Sequence, residues 1–183
     1  MFDKTLKFVL IHGNGGATSK DNWFPSLTQW LLDKGLKVDA RDFPDSQIAH
    51  ESVWISYLKN HIKVDPKTIL IGHSSGAVAA LRYAEKYNIY ASVLVGVNYT
   101  DLGDETEKQS GYYNHPWNWD KIRSNQNWIL QFASIDDPYI PITEPRYIHE
   151  QLKTEYHEYK NKGHFMIPEF PELIEALTVK LLA

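Results

Sequence analysis

The chain contains no cysteine. That absence excludes a disulfide framework, a thiolate nucleophile and thiolate metal sites, and it agrees with a reducing compartment. Long apolar runs are missing as well. Nothing approaches the roughly 18 apolar residues of a membrane span, and the first residues, Met1 to Lys7, lack the apolar core of a signal peptide. The expectation is a cytoplasmic protein. Charge of one sign is not in excess either. A net charge of −4, with the charged residues dispersed, excludes a nucleic-acid footprint and a basic membrane-facing surface. What is present, 183 residues of which 43% are hydrophobic and 23% charged, suits one globular domain over residues 1–183.

The apolar runs that do occur are short. Residues 6–11, 36–40, 68–71, 91–97, 128–132 and 155–160 read as six strands. Between them lie helical stripes: Trp23, Leu27, Trp30 and Leu31; Ile48, Ile55, Leu58 and Ile62; and Phe170, Leu173, Ile174, Leu177 and Leu181. Lys34-Gly35 is a helix stop and Thr143-Glu144-Pro145 a helix start. Residues 98–126 show no period but are dense in aromatic and polar side chains, and read as an excursion over the sheet edge. Strands alternating with helices imply an α/β fold, a doubly wound six-stranded mainly parallel sheet with helices on both faces. Sites in such folds lie beyond the carboxyl ends of the strands.

One strand end carries a motif. The run 68–71 passes through Gly72-His73-Ser74-Ser75-Gly76 into a helix marked by Ala77, Ala80, Leu81 and Ala84. This is G-x-S-x-G in its strand-turn-helix context. A turn this tight holds Ser74 in strained φ/ψ, and a side chain at either glycine would collide with backbone. The hydroxyl then stands at the carboxyl edge of the sheet. A serine hydroxyl needs an imidazole to take its proton and a carboxylate to orient that imidazole. Of eight histidines, only His164 follows the last strand, sits after a flexible glycine and keeps the Ser–acid–His order.

The acid is expected after the fifth strand, in Asp136-Asp137-Pro138-Tyr139-Ile140-Pro141. Adjacent carboxylates on an extended chain point to opposite sides, so one faces His164 and the other faces away or caps a turn. Asp137 is preferred because Pro138 and Pro141 stiffen the loop beyond it, with Asp136 as the alternative and Asp101 or Asp104 behind. An oxyanion hole needs two backbone donors, and the N–H groups of Ser75 and Asn14 stand nearest. The loop His12-Gly13-Asn14-Gly15-Gly16 lacks both the later glycine of a dinucleotide loop and G-K-[ST], so a phosphate cradle is the weaker reading. Trp23, Trp117 and Trp119 are candidates for substrate contact.

Together with the elbow and Gly163-His164-Phe165, these loops look like a small α/β-hydrolase. Gly13-Asn14-Gly15-Gly16, the segment Tyr99 to Glu105, Ser110-Gly111-Tyr112, His115-Pro116-Trp117-Asn118-Trp119 and the segment Gln131 to Pro138 resemble the retinoblastoma-binding protein 9 family of small serine hydrolases. The likeness runs from the first strand to the last helix. It implies a minimal α/β-hydrolase fold without a large lid domain, with Ser74, Asp137 and His164 as a triad. It also implies activity on small esters or amides, amino-acid esters included, with no cofactor and no metal. Retinoblastoma binding in that family is associated with a Leu-x-Cys-x-Glu segment, which a chain without cysteine cannot contain, so that partner is not carried over. The expected partner is a small-molecule ester or amide substrate, with neither nucleic acid nor membrane. The alternative class is a protein-interaction module that keeps the hydrolase fold with weak or vestigial catalysis.

Overall fold

The computed structural model describes residues 1–182. Its strands are β1 (Lys7–Ile11), β2 (Lys37–Asp39), β3 (Thr68–His73), β4 (Ala91–Val95), β5 (Ile129–Ser134) and β6 (Glu155–Tyr159). The helices are α1 (Phe24–Asp33), α2 (Glu51–Tyr57), α3 (Ser75–Lys86), α4 (Glu105–Ser110), α5 (Trp119–Ser124), α6 (Thr143–Leu152) and α7 (Pro171–Leu182). The sheet runs β2-β1-β3-β4-β5-β6, and every neighbouring pair is parallel. The chain first builds outward from β1 to β2, then returns to place β3 on the other side of β1. This reversal opens a crevice at the carboxyl ends of β1 and β3.

Period-two alternation divides the core into two layers. Phe8, Leu10, Ile69, Ile71, Val93, Val95, Leu130 and Phe132 pack with Phe24, Leu27 and Leu31 of α1 and with Leu173 and Leu177 of α7. Val9, Ile11, Leu70 and Leu94 pack on the opposite face with Trp54, Leu81, Ile122, Ile148 and Leu152. Each such side chain removed from water contributes roughly 1.5–3 kcal/mol, which is why the central strands are mostly apolar and buried polar side chains there, such as Ser92 and Gln131, are hydrogen-bonded. The helix stop at Gly35 operates as its residue type requires. Its φ of +67° lets its N–H reach Leu32 O while the N–H of Leu36 reaches Leu31 O.

The other strand ends shift from the sequence reading by one or two residues, and three differences are larger in their consequences. Strand β4 ends at Val95 rather than at residue 97, because Gly96 turns the chain with φ +58°. The second helical stripe starts at Glu51, so Ile48 lies before it, in a turn where the Asp45 carboxylate accepts the N–H of His50. The excursion does not simply cross the sheet edge. Residues 98–107 lie over the carboxyl end of the sheet, but Tyr112 and Ile122 enter the core layer beside α3. Buried Arg82 of α3 holds this segment by donating to the carbonyls of Tyr112, His115 and Pro116. Among the described residues no helix is long and apolar enough to cross a membrane.

Candidate active site

The turn between β3 and α3 is sterically closed around Ser74. A Cβ on Gly72 would overlap the Gly76 carbonyl and the Ala77 nitrogen, and one on Gly76 would overlap the carbonyl oxygens of Ile11 and His12. Only glycine fits both places, so β1 and α3 close on the elbow. Ser74 takes φ 54° and ψ −125°, a conformation rare for a residue with a side chain. Its N–H donates to Val95 O at 2.9 Å, tying the strained residue to β4.

His164 arrives on the loop after β6 and is buried. Its Nδ1–H donates to Asp137 Oδ2 at 2.8 Å. Asp137 is held in turn, since its Oδ1 accepts the N–H groups of Tyr139 and Ile140 at 2.9 and 3.0 Å. With Nδ1 engaged by a carboxylate, the proton sits there and Nε2 keeps its lone pair. Asp136 points elsewhere. Its Oδ1 accepts from Ser134 Oγ at 2.6 Å and from Gly163 N at 2.9 Å, which clips the β5 loop to the loop that carries His164. These two bonds, the side-chain one foremost, hold the Asp136 carboxyl below its ordinary pKa. Asp104 caps α4 through the N–H groups of Thr106 and Glu107, and Asp101 accepts from Gly103 N. Neither bonds to the imidazole.

Three neighbours of His164 escape a reading from sequence. His73 is buried, and its Nε2–H donates to the His164 carbonyl at 2.7 Å. Burial drives the His73 pKa down to about 3. Gly96 backs the imidazole so closely that a Cβ there would stand 3.3 Å from Nδ1 and Cε1. Tyr139 sets its ring edge-on to His164 at 5.1 Å. The signals were present as residue types but carry no positional meaning until the strands are paired.

The loop after β1 lies over the nucleophile, and a Cβ on Gly13 would sit 3.4 Å from Ser74 Cβ and 3.9 Å from Ser74 Oγ. Buried His12 fixes the start of the loop. Its Nδ1–H donates to Gly13 O and its Nε2 accepts from Phe43 N, both at 2.8 Å, and burial lowers its pKa. The Asn14 amide donates to Glu107 Oε1 at 2.7 Å. Among the described residues the backbone N–H groups of Asn14 and Ser75 have no backbone acceptor.

Ser74, His164, Asn14 and Gly13 line one cleft of about 890 Å³, together with Asp104, Glu107, Tyr139, Ile140 and Met166. Trp23, Trp117 and Trp119 do not line it, which corrects the expectation of substrate contact. Trp23 is fully buried behind the elbow, stacked on Phe24 and edge-on to His73. Trp117 and Trp119 stack on each other at 5.1 Å, and the Arg82 guanidinium lies over Trp117 at 3.5 Å from its centroid. Both belong to the clamp that holds the excursion to α3. The aromatic side chain that does reach the cleft is Tyr139, 60% exposed on the acid loop.

The chain matches a family described as serine hydrolase over residues 8–173. It is 40% identical over 173 residues to serine hydrolase RBBP9 of Rattus norvegicus, an alignment covering 93% of each protein. The crystal structure of the ydeN gene product from B. subtilis superposes with a TM-score of 0.88 at 23% identity, covering 97% of this chain and all of that one (100%). The Pyrococcus furiosus esterase Pf2001 follows the same fold at TM-score 0.67 and 17% identity, over 97% of this chain and 80% of that one.

Proposed function

The chain belongs to the serine hydrolase family and is a hydrolase, and from that premise we propose that it cleaves small carboxylic esters or amides through an acyl-Ser74 intermediate. The observation that carries the reading is the 2.8 Å bond from His164 Nδ1–H to Asp137 Oδ2 in the cleft that also holds Ser74. That bond leaves Nε2 as the free base on an imidazole already oriented.

In this scheme His164 Nε2 takes the Ser74 proton as Oγ attacks the substrate carbonyl. The negative charge that develops on the carbonyl oxygen is met by the N–H groups of Ser75 and Asn14, the first also at the positive end of α3. Collapse of the adduct passes the proton from Nε2 to the leaving alcohol or amine. Water then repeats the sequence against the acyl-serine and frees the acid. Asp137 stays ionised throughout and stabilises the imidazolium. The exposed Tyr139 and Met166 offer an apolar rim for the acyl or leaving group.

The test is labelling by a fluorophosphonate probe together with turnover of p-nitrophenyl esters and aminoacyl amides. Ser74→Ala is expected to lose all labelling and on the order of 10⁶ in kcat, whereas Ser75→Ala, which keeps its N–H, stays close to the parent rate. Turnover in Ser74→Ala near the parent value would end the proposal.

A further inference from the structure

The excursion between β4 and β5 carries a side chain that the scheme above does not use. Glu107, on α4, lies 93 positions from Asn14 and accepts its amide N–H at 2.7 Å through Oε1. Its second oxygen, Oε2, accepts from Tyr113 Oη at 3.0 Å, and that hydroxyl accepts from Asn98 Nδ2 at 2.7 Å. The donors thus run in one direction, from the end of β4 and from the β1 loop, and both paths stop at the same carboxylate.

The β1 loop has need of such an anchor. Gly13, Gly15 and Gly16 surround Asn14, Gly15 and Gly16 have φ of +68° and +80°, and a Cβ on Gly15 would touch nothing. The far side of the loop is tied through Gly15 N to Gln47 O and Gly16 N to Ser46 O. On the side nearer Ser74 the loop has two ties, His12 Nδ1–H on the Gly13 carbonyl and the Asn14 side chain on Glu107. Glu107 is itself firmly seated. Its N–H is capped by Asp104, and the segment entering α4 is fixed by buried Glu144, whose carboxylate accepts Tyr99 N, Thr100 N and Thr100 Oγ1.

We propose that Glu107 is a positioning residue for the oxyanion hole: by gripping the Asn14 side-chain amide it fixes, together with His12 on the Gly13 carbonyl of the same peptide, the direction of the Asn14 backbone N–H over Ser74, and the excursion is built to deliver it. This rests on the oxyanion role given to Asn14 above. Burial pushes the Glu107 carboxyl above the ordinary glutamate pKa while the bonds from Asn14 and Tyr113 oppose that rise. A peptide that swings a fraction of an ångström away from the forming oxyanion is still present for substrate binding, so the effect belongs in kcat rather than KM.

The experiment measures kcat and KM for a p-nitrophenyl ester in Glu107→Ala, Glu107→Gln, Asn14→Ala and the double variant Asn14→Ala/Glu107→Ala, with thermal melts of each. Glu107→Ala is expected to lose on the order of 10- to 100-fold in kcat with KM within about twofold of the parent. Glu107→Gln recovers most of the loss, because its amide oxygen still accepts from Asn14. Asn14→Ala, which keeps the backbone N–H, reproduces the loss, and the double variant is no slower than the slower single one. Parent kcat in folded Glu107→Ala, losses that multiply in the double variant, or a change confined to KM would each overturn the proposal. Should Glu107→Ala not fold, parent kcat in Asn14→Ala does so by itself. Ser74→Ala, run alongside, separates the two levels. Activity there removes the underlying scheme, whereas an inert Ser74→Ala with full-rate Glu107→Ala removes only the role of Glu107.

Discussion

Acid should unfold this protein through a histidine that the chemistry does not consume. His73 is buried beside His164, with ring centroids 4.8 Å apart, and its pKa falls from 6.5 to about 3 because burial, and then the neighbouring imidazole, disfavour its charge. The unfolded chain therefore binds the extra proton between those two values. Stability from this group is complete above pH 6.5 and is lost progressively as pH falls toward 3. Between pH 7 and pH 5 linkage gives a loss of about 2 kcal/mol. In a chain of this length that is a drop in Tm of about 4–8 °C. Urea unfolding followed by tryptophan fluorescence, from pH 5 to 8, measures it in the parent and in His73→Gln, whose amide offers a donor that does not titrate. His12, also shifted down by burial, is present in both proteins and cancels. The parent should lose about 2 kcal/mol more than the variant over that interval; parallel profiles would refute the assignment of a neutral, buried His73.

Four other outcomes follow from the same geometry. Gly76→Ala forces a Cβ into the Ile11 and His12 carbonyls. It should cost at least about 3 kcal/mol in chemical denaturation, and a loss below about 1 kcal/mol would mean the elbow can relax. Asp137→Asn should lower kcat by about 10⁴ while Asp136→Asn, which only loosens the clip to Gly163, costs less than about tenfold; the reverse ranking in steady-state kinetics would hand the acid role to Asp136. Gly96→Ala combines φ +58° with a Cβ 3.3 Å from the imidazole. It should cost about 1–2 kcal/mol in a denaturant titration and depress kcat by displacing His164, and parent-like kcat would deny the contact. Tyr139→Ala should raise KM for apolar esters several-fold, whereas Trp119→Phe should leave it unchanged; an equal effect of the two would return Trp119 to the cleft.

What was legible in the chain was what short-range sterics and a simple period control. G-x-S-x-G announces its turn because two glycines and a strained serine are demanded within five residues, whatever lies around them. Strands of unbroken Val, Ile and Leu announce a sheet covered on both faces, and a pair of adjacent carboxylates can offer only one to a given neighbour. Other features had no local cause. Tryptophans at residues 117 and 119 satisfy a pocket or a clamp equally well, and only the buried Arg82 guanidinium, brought under Trp117 by the packing of α3, decides for the clamp. Glu107 lies in a stretch without period, where nothing local sets it apart from its neighbours. Its meeting with Asn14 depends on where an aperiodic excursion is pinned by Arg82 and Glu144. The sequence alone determined the strand-turn-helix elbow, the layer order and the residue types available at the carboxyl edge, because these depend on neighbours within a few positions. The tertiary structure alone decided which carboxylate meets His164, which aromatic faces the cleft and what steadies the Asn14 loop, because each contact joins segments whose distance is set by the whole sheet.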